Sequence, residues 1–307
     1  MKVFLLAPNE NWIVDRMVNE FTHVNSAAVT SDPNDADVLW LLAGWCWDHV
    51  PQQLLRSKPV VLTVHHIDPL KFNDDAKAMF RFRDHFIDAY HVPNKHTAAL
   101  VAQLTRKPIF TIGYWYDPEV WTMADSQTMT KHGLPHYKLL VGSFQRDTEG
   151  GTRLPKLAKG PDVFCDQVIQ LAASTDLHVV LAGWRREYVT ERLQLANVPF
   201  TFFDRASMTT LRELYNALDL YLVTSRHEGG PQAILECAAM KVPILSTDVG
   251  MARDVLCDNC IVDMPTAPLR LPTEDDIEMN FVNVQKYSIN AISQEYIAMF
   301  ESVCTLL

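Results

Sequence analysis

Several features that would indicate other classes of protein are missing from this chain of 307 residues. No stretch approaches the roughly 20 consecutive apolar residues that a membrane-spanning helix needs. Lysine and arginine total 27 against 37 aspartates and glutamates, and the net charge of −10 argues against a nucleic-acid backbone as the main partner. No polybasic run and no low-complexity tract is present. We therefore expect a globular protein that binds no nucleic acid and makes at most peripheral contact with a membrane.

A second cysteine pair is also missing. Cys257 and Cys260 have the spacing of a metal or redox motif, but a structural zinc site needs four ligands and no other pair lies nearby. We predict no metal site and six free thiols in a cytoplasmic protein. The apolar run near the N-terminus, Val3–Ala7, is too short for a secretory signal peptide and predicts a buried strand instead.

What the chain does contain is two successive series of short apolar runs that alternate with helical patterns. Each run is apolar on both faces, which is typical of parallel strands buried between helices. The predicted strands of the first series are Val3–Ala7, Val38–Leu42, Pro59–His65, Ala89–Val92 and Pro108–Ile112. Those of the second series are Leu139–Val141, His178–Ala182, Phe200–Phe203, Leu220–Val223 and Val242–Ser246.

This pattern predicts an α/β protein with two Rossmann-like domains, because the length exceeds one ordinary core. We place the domains at residues 1–114 and 115–287, joined near the turn that contains Asp117 and Pro118. In residues 288–307 the apolar residues follow a helical stripe, so a C-terminal helix that packs against a core is expected.

The most informative stretch is Thr224–Gly250, which begins where a predicted strand ends. Gly229 and Gly230 expose backbone amides just before a helix that we expect to begin at Pro231. Amides at a helix start attract phosphate, and ligands of open α/β sheets lie at the carboxyl ends of strands. An anionic ligand is therefore expected at this turn.

Two glutamates, Glu228 and Glu236, lie in the same stretch. Carboxylates repel phosphate but accept strong hydrogen bonds from sugar hydroxyls. Glu236 alone is also compatible with an ordinary glutamate on a helix surface, although its apolar neighbours argue against that alternative.

The order of Glu228-Gly229, Glu236, Ala238-Ala239, Pro243 and Thr247–Gly250 resembles the donor-site signature of retaining GT-B glycosyltransferases, especially glycosyltransferase family four. The resemblance implies two parallel sheets facing a central cleft and a C-terminal helix that returns to the N-terminal domain. It also implies that Glu236 binds the ribose and Glu228 the donor sugar. The diphosphate or the sugar would meet the amides near this turn, whose donor-binding residues are Gly229, Gly230, Pro231 and Gln232.

A second set of residues supports the same resemblance. Gly142 and Ser143 follow a strand, and Lys159 precedes a helix, as in the family, where an arginine and a lysine neutralise the diphosphate. Arg146 lies three residues later than the usual arginine, so Arg153 is an alternative. The other interpretation of these cations is an ordinary solvated surface.

Three further positions fit less specifically. The resemblance places Gly183 near the nucleotide, Arg205 near the base, and a histidine after the third strand near the donor sugar or acceptor. We prefer His65 to His66 for that role. Lys241 stands where the family usually has glycine, which would cost about 1 kcal/mol if the backbone there is left-handed.

The resemblance implies a retaining hexosyltransferase that uses a UDP- or GDP-linked sugar without metal or cofactor. The expected acceptor is a glycan, a glycolipid or a small molecule. One alternative is a non-catalytic scaffold or partner subunit, which would need neither glutamate nor Lys159. The other is a nucleotide-sugar epimerase, for which we identify no acid/base set. The donor, the acceptor and the oligomeric state stay open.

Overall fold

The computed structural model of the chain describes residues 1–10, 13–124, 131–264 and 269–305. It divides into two compact units, which we call the first unit (Met1–Trp115 with Tyr287–Leu307) and the second unit (Tyr116–Lys286). Each is an α/β unit built on its own parallel sheet.

The first unit contains a six-stranded sheet in the order β2-β1-β3-β4-β5-β6. Its strands are β1 Val3–Leu6, β2 Val29–Thr30, β3 Val38–Leu41, β4 Val60–Thr63, β5 Ala89–Val92 and β6 Ile109–Thr111. Its helices are α1 Ile13–Val24, α2 Gln52–Ser57, α3 Asp74–Asp84, α4 Lys95–Val101 and, from the C-terminal segment, the helix Ile289–Cys304. Strands β3, β4 and β5 are buried over their whole length, which explains their continuous apolar runs.

The helix Ile289–Cys304 packs on the core of the first unit through the apolar stripe that the sequence predicts. Tyr296 is fully buried, lies 5.2 Å from the Trp40 ring (centroid to centroid), and donates a hydrogen bond to the Gly113 carbonyl at 3.0 Å. The predicted return of this helix to the N-terminal sheet is therefore confirmed. Leu306 and Leu307, which the prediction included, lie outside the described residues.

The second unit contains a five-stranded sheet in the order β11-β10-β7-β8-β9. Its strands are β7 Leu139–Ser143, β8 Leu177–Gly183, β9 Phe200–Asp204, β10 Leu220–Val223 and β11 Ile244–Ser246. Its helices are α5 Pro161–Ala172, α6 Glu187–Leu195, α7 Met208–Asn216, α8 Gln232–Ala239, α9 Ala252–Val255 and α10 Glu274–Val284; the helix Ile289–Cys304 is α11. The strand order reverses between β7 and β10, and such switch points are where open sheets bind ligands.

All predicted strands are present, with ends that agree within two residues. Within the described residues, the sequence analysis missed β2, which is only two residues long, and the α-helices α2, α9 and α10. Helix α10 had a readable start, because Thr273 and Asp276 form a reciprocal capping box at its N-terminus. Helix α8 begins at Gln232, one residue later than predicted, with Pro231 as its N-cap.

Lys241, which follows α8, has the left-handed backbone for which the sequence analysis gave a cost. Its φ is 56°, a conformation that favours glycine. The lysine side chain forms an ion pair with Glu278 and lies over the Phe281 ring, 4.4 Å from its centroid. These contacts with α10 offset part of the backbone cost.

Candidate functional site

A lysine–glutamate ion pair joins the two loops at the switch point of the second sheet. Lys159 lies in the loop after β7 and Glu228 in the loop after β10, and the Lys159 ammonium contacts the Glu228 carboxylate. The Glu228 side chain is 8% exposed and that of Lys159 is 25% exposed. Ser225 also donates a hydrogen bond from Oγ to Glu228 Oε1 at 3.3 Å. The carboxylate is therefore oriented by two partners from its own unit.

The backbones of these loops approach so closely that only glycine fits between them. Gly160 has a φ of 61°, and a Cβ there would lie 1.8 Å from the Thr224 carbonyl oxygen. Thr224 donates a hydrogen bond from Oγ1 to the Gly160 carbonyl at 2.8 Å. The amides of Arg226 and His227 donate to the Ala158 carbonyl at 2.8 and 3.1 Å. This clamp fixes the position of Lys159 relative to Glu228.

The other predicted glutamate, Glu236, is 4% exposed, so the alternative of a helix-surface glutamate is wrong. Its neighbour is Tyr215 of α7, whose pKa is raised well above its usual value by burial, by the negative charge of Glu236 and by a hydrogen bond to that carboxylate. The Tyr215 ring lies 4.7 Å from Phe144 and 5.2 Å from Tyr221, centroid to centroid. Glu236 is thus hydrogen-bonded to a cluster of aromatic rings that includes Phe144, the first residue after β7.

The first residue of α8 carries a shielded side-chain amide. The side-chain Nε2 and Oε1 atoms of Gln232 are shielded from solvent and have no hydrogen-bond partner among the described residues. Gly229 is buried, whereas Gly230 and Pro231 are half-buried. Buried polar groups are nearly always paired in proteins, so Gln232 is a natural contact for a bound ligand.

Two more cations lie near Lys159. Burial, together with the positive charges of Arg146 and Lys159, lowers the pKa of Lys156 to about 8. Like charges held together in a partly buried place are typical of a site that binds an anion. The sequence analysis missed Lys156, although its spacing of three residues from Lys159 was visible. Arg153, the alternative to Arg146, is 81% exposed and pairs instead with Glu191 at 2.8 Å.

Residues 152–275 match the family described as Glycosyl transferases group 1. This segment is a glycosyl transferases group 1 domain. It contains Lys156, Lys159, Glu228 and Glu236, which are four of the residues that form the site described above.

Within and beyond the group 1 domain the chain is similar to known glycosyltransferases. It is 29% identical over 132 residues to the lipopolysaccharide core biosynthesis mannosyltransferase LpsB of Rhizobium meliloti, a match that covers 40% of this chain and 35% of that enzyme. HepE of Anabaena, solved with UDP and glucose, superposes with a TM-score of 0.75 at 13% identity, over 98% of this chain and 99% of that one. Sucrose-phosphate synthase of Thermosynechococcus elongatus superposes with a TM-score of 0.69 at 14% identity, over 98% and 81%. The fold is therefore that of the GT-B glycosyltransferases.

Just outside the group 1 domain, the end of β7 is occupied by protein contacts. A Cβ on Gly142 would lie 2.2 Å from Leu218 Cδ1, so the need for glycine there follows from packing. Ser143 is 1% exposed, and its carbonyl and hydroxyl both accept hydrogen bonds from Arg186. The sequence analysis missed Arg186, because nothing in its local pattern distinguishes a buried arginine from an exposed one.

At the ends of β8 and β9, three residues of the group 1 domain have left-handed backbones. The φ values are 110° for Gly183, 56° for Arg185 and 49° for Arg205. The guanidinium carbons of Arg185 and Arg205 lie 4.2 and 5.8 Å from the centroid of the Trp184 ring between them. Non-glycine residues with positive φ cluster at ligand sites, which agrees with a ligand near Arg205.

His65 lies in the first unit, outside the group 1 domain. Its Nε2–H donates to the Leu42 carbonyl at 2.7 Å, so its Nδ1 accepts the hydrogen bond from the Tyr114 hydroxyl. Both ring nitrogens are thus bonded within the first unit. His66 is exposed.

Across the parts of the chain that the structure describes, no helix is both long enough and apolar enough to span a bilayer. No group of three or more His, Cys, Asp or Glu residues with the geometry of a metal site occurs in those parts either.

Proposed function

We propose that this protein is a retaining glycosyltransferase that moves a hexose from a UDP- or GDP-linked donor to an acceptor hydroxyl. The observation that carries the proposal is that three clustered cations and two shielded carboxylates occur together at the switch point of the second sheet. Cations suit a diphosphate and carboxylates suit sugar hydroxyls, and a nucleotide sugar contains both groups.

The diphosphate would be bound by Lys159, Arg146 and Lys156. Arg146 is the better partner than Arg153, because its charge acts on Lys156 whereas Arg153 is paired with Glu191. Fixed cations stabilise the charge that builds up on a departing diphosphate. We therefore propose catalysis that needs no metal ion.

The sugar and the ribose would be held by Glu228 and Glu236. The ion pair with Lys159 orients Glu228, and the hydrogen bond with Tyr215 orients Glu236. Gln232, whose side-chain amide atoms have no hydrogen-bond partner in the described part of the chain, would contact the donor at the start of α8. Arg205 would lie near the base, and Gly183 would lie near the nucleotide.

In the proposed reaction, the bond between the anomeric carbon and the β-phosphate oxygen breaks as the acceptor oxygen attacks from the same face. The acceptor proton passes to the departing phosphate oxygen, and the products are a glycoside and a nucleoside diphosphate. The protein contributes positioning and charge stabilisation. His65 stays a predicted site residue, and a role in proton transfer would require one of its two hydrogen bonds to open.

We also infer a cytoplasmic location, which the six free thiols support because cysteines persist unpaired in reducing compartments. The acceptor is proposed only by class, as a glycan, a glycolipid or a small molecule. The alternative of a non-catalytic scaffold is disfavoured by the clustered cations, since a scaffold has no need for charges that repel one another.

The first test is a thermal-shift panel with UDP, GDP, ADP and their common sugar conjugates, with and without magnesium. A ligand that binds the folded state raises the melting temperature. We expect one nucleotide to give a clear shift that magnesium does not change. Glu236→Ala should abolish this shift, while Glu191→Ala, which removes an exposed glutamate from the same unit, should keep it.

The second test is the product. The nucleotide sugar that binds should release its diphosphate in the presence of an acceptor, and proton NMR of the glycoside should show the donor's anomeric configuration. An inverted product would overturn the retaining mechanism. No shift with any nucleotide at millimolar concentration would favour the scaffold.

A further inference from the structure

The second unit contains another ion pair, which is almost completely inaccessible to solvent. Arg186, the residue before α6, is 1% exposed, and Asp147, in the loop after β7, is 2% exposed. Arg186 Nε donates to Asp147 Oδ2 at 3.1 Å. Neither residue belongs to the set that would contact the donor.

The arginine ties together the ends of two neighbouring strands. Its Nη1 donates to the Ser143 carbonyl at 2.6 Å and to the Ala182 carbonyl at 3.1 Å, and its Nη2 donates to Ser143 Oγ at 3.4 Å. These acceptors lie at the carboxyl ends of β7 and β8, where the planar guanidinium can reach all of them at once.

Asp147 connects the loop after β7, which carries Arg146 and Lys156, to the residues that follow β8. Its backbone amide donates to the Arg185 carbonyl at 3.1 Å, and its carbonyl accepts from the Lys156 amide at 2.8 Å. Its side chain accepts from the Val189 amide at 3.3 Å. Asp147 thus directly follows Arg146 in the chain and is hydrogen-bonded to the backbone of Lys156.

This arrangement is costly for stability alone. Burial raises the pKa of Asp147 to about 6, although the positive charge of Arg186 lowers it. Asp147 Oδ1 is buried and has no hydrogen-bond partner within the described part of the chain. Buried ion pairs often stabilise a fold less than apolar side chains of the same volume, so a second role is a reasonable hypothesis for this one.

We propose that the Asp147–Arg186 pair positions Arg146 and Lys156 to bind the second phosphate of a nucleoside diphosphate. The proposal rests on the proposed function, because it presumes that the three cations bind a diphosphate. Both members of the pair are positioning residues, since neither touches the ligand.

The test compares the dissociation constants of a nucleoside diphosphate and of its monophosphate, using the base that binds best among UDP, GDP and ADP. Wild-type protein should prefer the diphosphate. In Asp147→Asn, which keeps the shape of the side chain and removes its charge, this preference should fall about tenfold because the loop cations are no longer held in place. The matched control is Asp166→Asn, which breaks the exposed Asp166–Arg192 pair of the same unit and should leave the preference unchanged.

The outcomes separate the two proposals. If the wild-type protein binds no nucleotide, the proposed function fails, and this inference fails with it before any variant is compared. If the wild-type protein binds both ligands equally, or if a folded Asp147→Asn weakens both by the same factor, only the positioning role is overturned. Should Asp147→Asn not fold, Arg186→Lys keeps the charge, loses the planar fork, and is measured in the same way with the same expected loss.

Discussion

The two sheets of this protein use polar side chains at their strand ends in opposite ways. In the first unit, Trp40 Nε1 donates to Thr63 Oγ1 at 2.9 Å, Thr63 donates to His91 Nδ1 at 3.0 Å, and His91 Nε2 donates to the Ile112 carbonyl at 2.9 Å. This chain runs from β3 to the residue after β6, and each member satisfies the next. It is a neutral network that stabilises a core.

In the second unit, the corresponding region carries charges that the fold only partly neutralises. Arg146 and Lys159 both repel the charge of Lys156, and the amide of Gln232 has no partner among the residues described. The comparison teaches that a parallel sheet alone does not make a site. What differs is whether its polar groups complete their bonds within the protein or require a ligand.

The largest expected effect is on catalysis, from the ion pair in the second unit. Lys159→Ala and Glu228→Ala should each lower the rate of sugar transfer by about 10²–10³-fold, because fixed charges at the reacting centre are lost. The double variant should be little worse than either single one, since paired residues act as a unit. Steady-state kinetics with the identified donor would measure this.

The control is Lys241→Ala, which removes the lysine of another Lys–Glu pair in the same unit. It should keep wild-type transfer. If Lys241→Ala and Lys159→Ala lowered the transfer rate equally, the lysine of the proposed site would be no more important than a lysine elsewhere on the unit.

The next effect is on stability, at the clamp that holds the pair. Gly160→Ala should lower the free energy of unfolding by roughly 3 kcal/mol, because the added Cβ meets the Thr224 carbonyl and the φ is positive. The φ of Gly151 is positive too, but no atom of the described residues lies within 4 Å of an added Cβ, so Gly151→Ala should cost only about 1 kcal/mol. Urea denaturation measures both, and equal costs would contradict the account of the clamp.

The buried hydrogen-bond network of the first unit should make the folded protein less stable in acid. Burial lowers the pKa of His91 to about 4, below its ordinary value of 6.5, so the unfolded chain takes up the proton first as the pH falls. The stability that the neutral ring contributes should be present above pH 6.5. It should fall by up to about 3 kcal/mol as the pH drops through 4.

Urea unfolding at several pH values measures this loss, and His91→Gln should remove the His91 share of the pH dependence. His23→Gln, at an exposed position, should retain it. An unchanged pH dependence in His91→Gln would show that the buried network does not control acid stability.

The smallest expected effect concerns Lys156 and runs in the alkaline direction. Its pKa of about 8 in the ligand-free protein lies below the ordinary value of 10.5. The affinity for a nucleoside diphosphate should therefore fall by roughly tenfold as the pH rises through 8 and this charge is lost. Without ligand, the stability should rise between pH 8 and 10.5, because only the unfolded chain holds the proton there.

Titration calorimetry across this range would follow the affinity. Lys156→Met should weaken binding at pH 7 and abolish the alkaline change. Lys138→Met, at a lysine paired with Asp176 on the same unit, is the control and should leave it intact. If the alkaline fall in affinity survives in Lys156→Met, a group other than Lys156 causes it.

Much of the site was accessible from the sequence because its motif is local. Glu228, Glu236 and the glycine-rich turn lie close together in the chain, and Lys159 directly precedes Gly160. The misses involve residues whose importance depends on what surrounds them. Arg186 and Lys156 look like surface cations until the fold buries the first completely and brings the second close to Arg146 and Lys159.

The sequence by itself determined the two parallel sheets, the apolar stripe of the last helix and the glutamates of the second unit. Continuous apolar runs and helical patterns, together with turn residues, are local properties that act within a few residues. Only the tertiary structure decided which charges meet, since Lys159 contacts Glu228 across 69 positions of the chain. It also decided that His65 is bonded on both nitrogens and that Asp147 and Arg186 are paired away from water. Burial and long-range pairing depend on how distant segments pack, and no local pattern contains that information.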